Sequence, residues 1–339
     1  MARKAIIFTA LVIALAALFL INILFGAVQI PVAEVIRIIG GTGSSDDSLR
    51  YIVMEYRLPQ AVTALLTGSM LSACGLLLQT LFRNPLADSS ILGVSSGAGL
   101  GVACVMLTLG GGLTIGSLTF GGFVAVFFAA LGGALAVTLM MLLLSSIIRN
   151  NVLLLIAGVM VGYIASSVIL LMNFFASADG VRAYVHWGMG NFSSVAPAML
   201  PIYATMALLL LGISALLVKP LNILTIGNRY AENLGVNIKY IRFAILMITG
   251  IMAALTTAFC GPIAFVGLAV PHLSRLCLQT DDFRIIMPMT ILLGAIVALA
   301  CNFLCVLPAN GTVLPLNAVT PFLGVPIILY VISRKSYSL

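Results

Sequence analysis

The sequence predicts an all-α, polytopic membrane protein of about ten transmembrane helices, and three observations carry that prediction. Of 339 residues, 62% are hydrophobic and only 7% are charged, a balance that soluble domains of this length do not show. Apolar runs of about 20 residues recur from one end to the other, each matched to a hydrocarbon core about 30 Å thick. The basic residues fall on alternate connections between those runs. No polar segment is long enough to build a second core, so residues 1–339 read as one domain surrounded by membrane lipid.

The expected spans are 5–28, 58–82, 91–109, 118–147, 152–175, 197–218, 240–261, 263–278, 285–307 and 316–333. The first follows Arg3-Lys4 and is longer than the apolar core of a signal peptide, about 7–15 residues, so a retained span is expected. The fourth is long enough to tilt or break at Gly132-Gly133. The eighth is short and contains Pro271, the pattern of an interrupted helix beside a transport pathway.

With ten spans both termini share a side. That side then holds twelve basic residues: Arg3, Lys4, Arg83, Arg149, Lys219, Arg229, Lys239, Arg242, Arg275, Arg284, Arg334 and Lys335. Only Arg37, Arg50, Arg57 and Arg182 fall opposite. The basic-rich side is expected to be cytoplasmic, and the split accounts for the net charge of +7 without invoking nucleic acid.

One stretch organises the rest, Arg57 to Gly101. An apolar helix is followed by the polar turn Arg83-Asn84-Pro85-Leu86-Ala87-Asp88, then by a second helix with Gly93, Gly97 and Gly101 at four-residue intervals. Side chains that small on one face let a neighbouring backbone approach closely. The turn must be buried in protein or face water, because lipid offers its backbone no partners.

Three connections are long enough to act. Residues 29–57 carry a turn-rich Gly40-to-Asp47 segment that reads as a surface loop. Residues 176–196 contain Trp187, the one tryptophan, beside His186, either an interfacial anchor or a partner-docking element. Residues 219–239 mix apolar and polar side chains. Within them, Asn228 to Leu234 suits a short helix with Asn228 as N-cap and Gly235 just past its end. A helix of this kind outside the membrane offers a compact surface to another protein.

The spans carry almost no ionisable side chains away from their ends, whereas ion-coupled carriers and proton pumps use such groups. His272 is the nearest candidate and more simply serves to hydrogen-bond a turn. No phosphate loop of the form G-x-x-x-x-G-K-[ST] is present, so a nucleotide-driven process would need an ATPase on another chain. Cys74, Cys104, Cys260, Cys277, Cys301 and Cys305 form no C-x-x-C pair and no metal-binding pattern, and read as small packing residues. Thr67-Gly68-x-Met70 recurs as Thr249-Gly250-x-Met252 five spans later, a faint sign of the inverted repeats common in transporters. A membrane scaffold or sensor without transport would share the Gly-rich spans.

RLPQ at 57–60, QTLFRNPLA at 79–87, LGVSSGAGLG at 92–101, AENLGV at 231–236, GPIAFVGLAVPHLSRL at 261–276 and LPLNAVTPFLGVPIILYVI at 314–332 resemble the FecCD-type permeases. These are the membrane subunits of type II ABC importers for ferric siderophores, haem and vitamin B12. The resemblance implies a non-enzymatic permease in the bacterial inner membrane. It would form a homodimer and work with two ATP-binding subunits and a periplasmic or lipoprotein binding protein. ATP and Mg would sit on the partner, with no cofactor or metal on this chain.

A ferric siderophore is the first expected cargo, with haem or cobalamin as alternatives. The resemblance places ATPase docking on Asn228, Arg229, Ala231, Glu232, Leu234, Gly235 and Val236. It places a cytoplasmic gate on Asn84, Leu86, Asn150 and Asn151, and binding-protein docking on Arg57. Charged positions of the family pattern are replaced here by Gln60, Asn302, Val306 and Val313, which implies a thinner ring of docking charges.

Overall fold

In the computed structural model, which describes residues 2–41, 47–108, 112–115, 118–148, 150–235, 237–307 and 312–335, the chain is a bundle of α-helices. In chain order these are α1 (Ala2–Leu24), α2 (Val32–Ile39), α3 (Asp47–Tyr51), α4 (Leu58–Phe82), α5 (Val94–Ala103), α6 (Gly122–Ile147), α7 (Asn151–Phe175), α8 (Ala178–Gly188), α9 (Leu200–Leu216), α10 (Val218–Ile226), α11 (Asn228–Asn233), α12 (Ile238–Cys260), α13 (Val266–Leu278), α14 (Phe283–Val306) and α15 (Leu316–Lys335). π-helical turns, Ile52–Arg57 and Cys104–Thr108, lead into α4 and out of α5. Among the described residues, six helical stretches are long and apolar enough to cross a membrane, α9 and α10 form one further span bent by 44°, and 94–108, α13 and 316–330 are shorter apolar helices. Together they account for the ten expected spans.

The differences from expectation are local. Residues 112–115 and 118–121 pair as an antiparallel hairpin, with Gly112 opposite Gly121 and Ile115 opposite Leu118, so the fourth span starts at Gly122 and not at 118. The third starts at Val94, because Ser90 to Gly93 closes a turn, Gly93 N donating to Ser90 O at 3.2 Å. The 29–57 connection also holds α2, α3 and the π turn; of the Gly40-to-Asp47 segment expected as a surface loop, 42–46 lies outside the described residues. α6 runs unbroken through Gly132-Gly133.

α4 is the axis. Nearly all of it is buried, and it packs on α1, α9, α12, α13 and α14. Its sequence suits that position: Thr63, Thr67, Gly68, Ser69, Ser72 and Gly75 keep its surface narrow, so neighbours meet it backbone to backbone. A methyl added at Gly75 would overlap Gly267 O of α13, and one at Gly68 would overlap Gly294 O of α14. By contrast α7 carries exposed Leu170, Leu171, Phe174 and Phe175, an outward apolar face suited to lipid or another subunit.

The faint sequence echo reappears in the packing. α4 contacts α13 and α14, and α12 correspondingly contacts α5 and α6. Gly68 presses on α14, while its counterpart Gly250 presses on Thr138 of α6. α5 and α13 both follow a residue of positive φ, Gly93 at 78° and Phe265 at 69°.

Candidate functional site

Two regions bring polar groups together, one at each end of α4. The first surrounds the turn after α4. Arg83 closes the helix in the left-handed conformation, φ 48°, and Asn84 N donates back to Gln79 O at 3.2 Å. Asn84 Oδ1 then accepts from Leu86 N at 2.9 Å, an Asx-type turn that a short amide side chain favours. Leu86 is thereby presented outward, 43% exposed. His272 Nε2 bonds Pro85 O at 2.8 Å, the turn-holding role expected of it. Gln79 bridges α13 by donating to Leu268 O at 3.1 Å and accepting from Arg275 Nη1 at 3.0 Å.

Of the expected gate residues, Asn151 joins this region, its Nδ2 donating to Leu81 O at 2.6 Å. Asn150 instead caps α7, accepting from Val152 N at 2.8 Å. The turn also holds a group the sequence reading passed over. Asp88 is buried; Oδ2 accepts from Ser90 Oγ at 3.0 Å, Oδ1 has no hydrogen-bond partner among the described residues, and the carboxyl lies against Gly267. The signal was a carboxylate followed by two serines, able to fold back on its own turn, and it adds a buried carboxylate to the buried Arg57, Arg242 and His272.

Beside this turn lies the 218–235 link. The kink between α9 and α10 has a chemical cause: Pro220 cannot donate the bond that would continue α9. α11 starts at Asn228 itself, after Gly227, and ends before Gly235, whose φ is 78°. Its expected docking residues divide. Ala231 is fully buried, so it seats the link on the bundle and cannot meet a partner. Glu232 and Gly235 are exposed, as is Leu234 at 64%. Val236 and the side chains of Asn228 and Arg229 lie outside the described residues.

The opposite end corrects the expectation for Arg57. Its side chain is buried, 3% exposed. The guanidinium donates to Ile23 O at 3.0 Å, Leu24 O at 2.8 Å and Val28 O, satisfying carbonyls freed where α1 ends. A group so committed offers no free charge to a docking protein. Gln60 and Asn302 are each other's partners: Gln60 Nε2 donates to Asn302 Oδ1 at 3.0 Å, and Asn302 Nδ2 to Asn22 Oδ1 at 2.8 Å. The chain of amides continues from Asn22 Nδ2 to Leu299 O at 3.0 Å. Gln60 and Asn302 also line a cavity of about 110 Å³ with His186, Asn191 and Val313. Nearby, Asn317 fastens α8, the α12–α13 link and α15, donating to Gly188 O at 3.0 Å and Pro262 O at 2.6 Å.

The expected packing glycines also divide. Gly97 and Gly101 lie against Gly133 O and Ala129 O of α6, the close approach their spacing predicts. Gly93 precedes α5 and faces α7 at Gly158 and Gly162.

These elements make a many-span helical membrane bundle with a compact helical link, α10–α11, beside a polar turn. Comparison with known proteins makes the class specific. Residues 14–334 match the FecCD transport family. The chain is 33% identical over 284 residues, 84% of each chain, to the vitamin B12 import system permease protein BtuC of Salmonella paratyphi A, and equally to that of Salmonella typhimurium. Its fold is similar to a metal-chelate-type ABC transporter solved in an inward-facing conformation, with TM-score 0.82, 24% identity and coverage of 97% of this chain and 99% of that one. It is less similar to PsaBC from Streptococcus pneumoniae in complex with Fab, at TM-score 0.50 and 15% identity over 88% and 95% of the two chains. This chain belongs to the FecCD transport family and is an ABC importer permease.

Proposed function

We propose that this chain moves a bulky metal chelate inward across the bacterial inner membrane by alternating access, powered by ATP hydrolysed on two partner subunits. The observation that carries this reading is the exposed Glu232–Gly235 stretch at the end of α11, with Ala231 buried behind it and the adjoining α10 tied to the turn 83–88 through Arg83. An ATPase closing on that surface has a rigid handle next to the mouth formed by Asn84, Leu86 and Asn151. Both termini then lie in the cytoplasm with α10–α11, and ATP and Mg stay on the partner. The filled contacts of α4 with α13 and α14 leave no corridor along that axis, which supports a path shared between two copies of the chain.

A corrinoid is the favoured cargo, because the relatives at 33% identity are named vitamin B12 permeases; a ferric siderophore is the second choice. The binding protein that delivers it docks by shape and hydrogen bonding more than by charge, since Arg57 is buried and Gln60 and Asn302 are neutral. The test is uptake into proteoliposomes holding the permease, its ATPase and its binding protein. Labelled cyanocobalamin should enter only with ATP, and Gly235→Pro should leave hydrolysis running while uptake falls. A ferric siderophore taken up in its place would change the cargo and keep the mechanism.

One observation favours a different energy source, the buried Asp88 with its unpartnered oxygen, a placement typical of ion-coupled carriers. Uptake by the permease alone under a pH gradient, abolished by Asp88→Asn, would establish that reading instead.

A further inference from the structure

The link is attached to the bundle by more than burial. Asn222 of α10 uses both ends of its amide on the start of α14: Nδ2 donates to Asp282 Oδ1 at 2.9 Å, and Oδ1 accepts from Phe283 N at 2.8 Å. Asp282 is itself the N-cap of α14, accepting from Arg284 N at 2.9 Å. Two residues further along α10, Arg83 Nη2 donates to Leu224 O at 3.2 Å. Arg83 is the left-handed residue that ends α4 and opens the turn carrying Asn84 and Leu86. α10 is therefore pinned at one point to the first residue of α14 and at another to the last turn of α4. Those two helices meet backbone to backbone at Gly68 and Gly294, so they move as one body.

We propose that α10 is a lever with two fastenings, and that Asn222 and Arg83 are the positioning residues that carry its displacement to the α4–α14 pair and to the turn 83–88. This rests on the reading of α11 as the ATPase handle. A two-ended amide is suited to the task. It resists both rotation and sliding, because either motion breaks a donor and an acceptor contact together. Arg83 adds a charge-assisted bond to one of the last carbonyls of α10, where the helix dipole favours a cation. Neither side chain touches cargo or nucleotide in this scheme; their effect is on coupling.

The experiment uses the full chain assembled with its ATP-binding subunit, with exposed Cys104 and half-buried Cys277 replaced by serine and a reporter placed by Leu86→Cys. The probe is a water-soluble maleimide, and the readout is the ratio of labelling rates with and without ATP plus vanadate. The unaltered lever should give a clear ratio. Asn222→Ala should shrink the nucleotide-dependent change by about tenfold, the scale of one or two lost hydrogen bonds, with the ATPase still copurifying and hydrolysing ATP. Arg83→Ala should act in the same direction, and Asp282→Asn, which keeps the acceptor for Asn222, should behave as the unaltered chain. A ratio undiminished in both alanine variants overturns the proposal. If Asn222→Ala fails to assemble, Arg83→Ala against Arg83→Lys decides the same question, a loss recovered by lysine supporting the lever and equal behaviour overturning it. If no ATPase copurifies with the unaltered chain, the docking reading falls first and the lever with it, a result distinct from an intact complex that does not couple.

Discussion

The two ends of α4 use polar groups in opposite ways. At its start, Arg57, Gln60, Asn302 and Asn22 are all buried, and their bonds join segments far apart in sequence. At its finish, several amides serve their own turns: Asn84 binds Leu86 N, Asn150 binds Val152 N, and Asn237 binds Tyr240 N at 3.1 Å. The long-range links there, made by His272, Gln79, Asn151, Arg83 and Asn222, are only partly buried. In a medium of low dielectric a closed buried network is rigid, because opening any member leaves unpaired groups. A set of locally satisfied turns can shift as units without breaking anything. One end is thus built to hold and the other to move.

The contrast breaks most visibly at Arg57. Arg57→Ala orphans three carbonyls and should cost on the order of 3 kcal/mol, given that bonds to charged groups contribute about 1.5–3 kcal/mol each; the melting temperature of the purified permease in detergent checks this. Arg57→Lys should recover only part, since an ammonium cannot reproduce the fork. An unchanged melting temperature together with lost binding-protein association would return Arg57 to a docking role. Gln60 should matter less. Gln60→Ala is expected to cost about 1 kcal/mol, and a cycle with Asn302→Ala should show coupling of about 0.6–2 kcal/mol, as for other amide pairs between membrane helices.

The smallest effect is expected at the moving end, with acid. Asp282 is held below the usual carboxylate range by the Arg284 N–H, then by the Asn222 amide, with Arg284 and Lys4 adding attraction. A lowered folded value contributes stability above the unfolded value of about 3.9 and loses it as pH falls through the folded one. Hydrogen-exchange protection at the first turn of α14, taken relative to the intrinsic amide rate at each pH, should therefore be steady down to about pH 4 and fall below it, and Asp282→Asn should remove that acid dependence.

Much of this was legible in the sequence. The spans were, because length and apolarity are set by the bilayer, and so was α11, because Gly235 marks its end. The hairpin at 112–121 was not: Gly-Leu-Thr-Ile and Leu-Thr-Phe-Gly look like the lead-in to an apolar helix, and short apolar runs do not distinguish the two. Gly93 has the spacing of a packing glycine, yet it stands before the helix at φ 78°. Arg57 sits at the edge of an apolar run, where a basic residue reads as facing water; that α1 ends with its carbonyls pointing at it is a tertiary fact. Gln60 and Asn302 were legible as missing charges and not as partners, because 242 positions separate them.

Pro220 has a consequence for reach. Drawn straight, residues 200–226 would form a rod about 40 Å long, beyond the roughly 30 Å of hydrocarbon. Its final turns would stand clear in the water, out of touch with Arg83 and Asp282. By denying one backbone donor, the pyrrolidine ring turns that surplus length aside by 44°, onto Arg83 and Asp282. The elbow is written into the covalent structure and is in place before any second chain arrives.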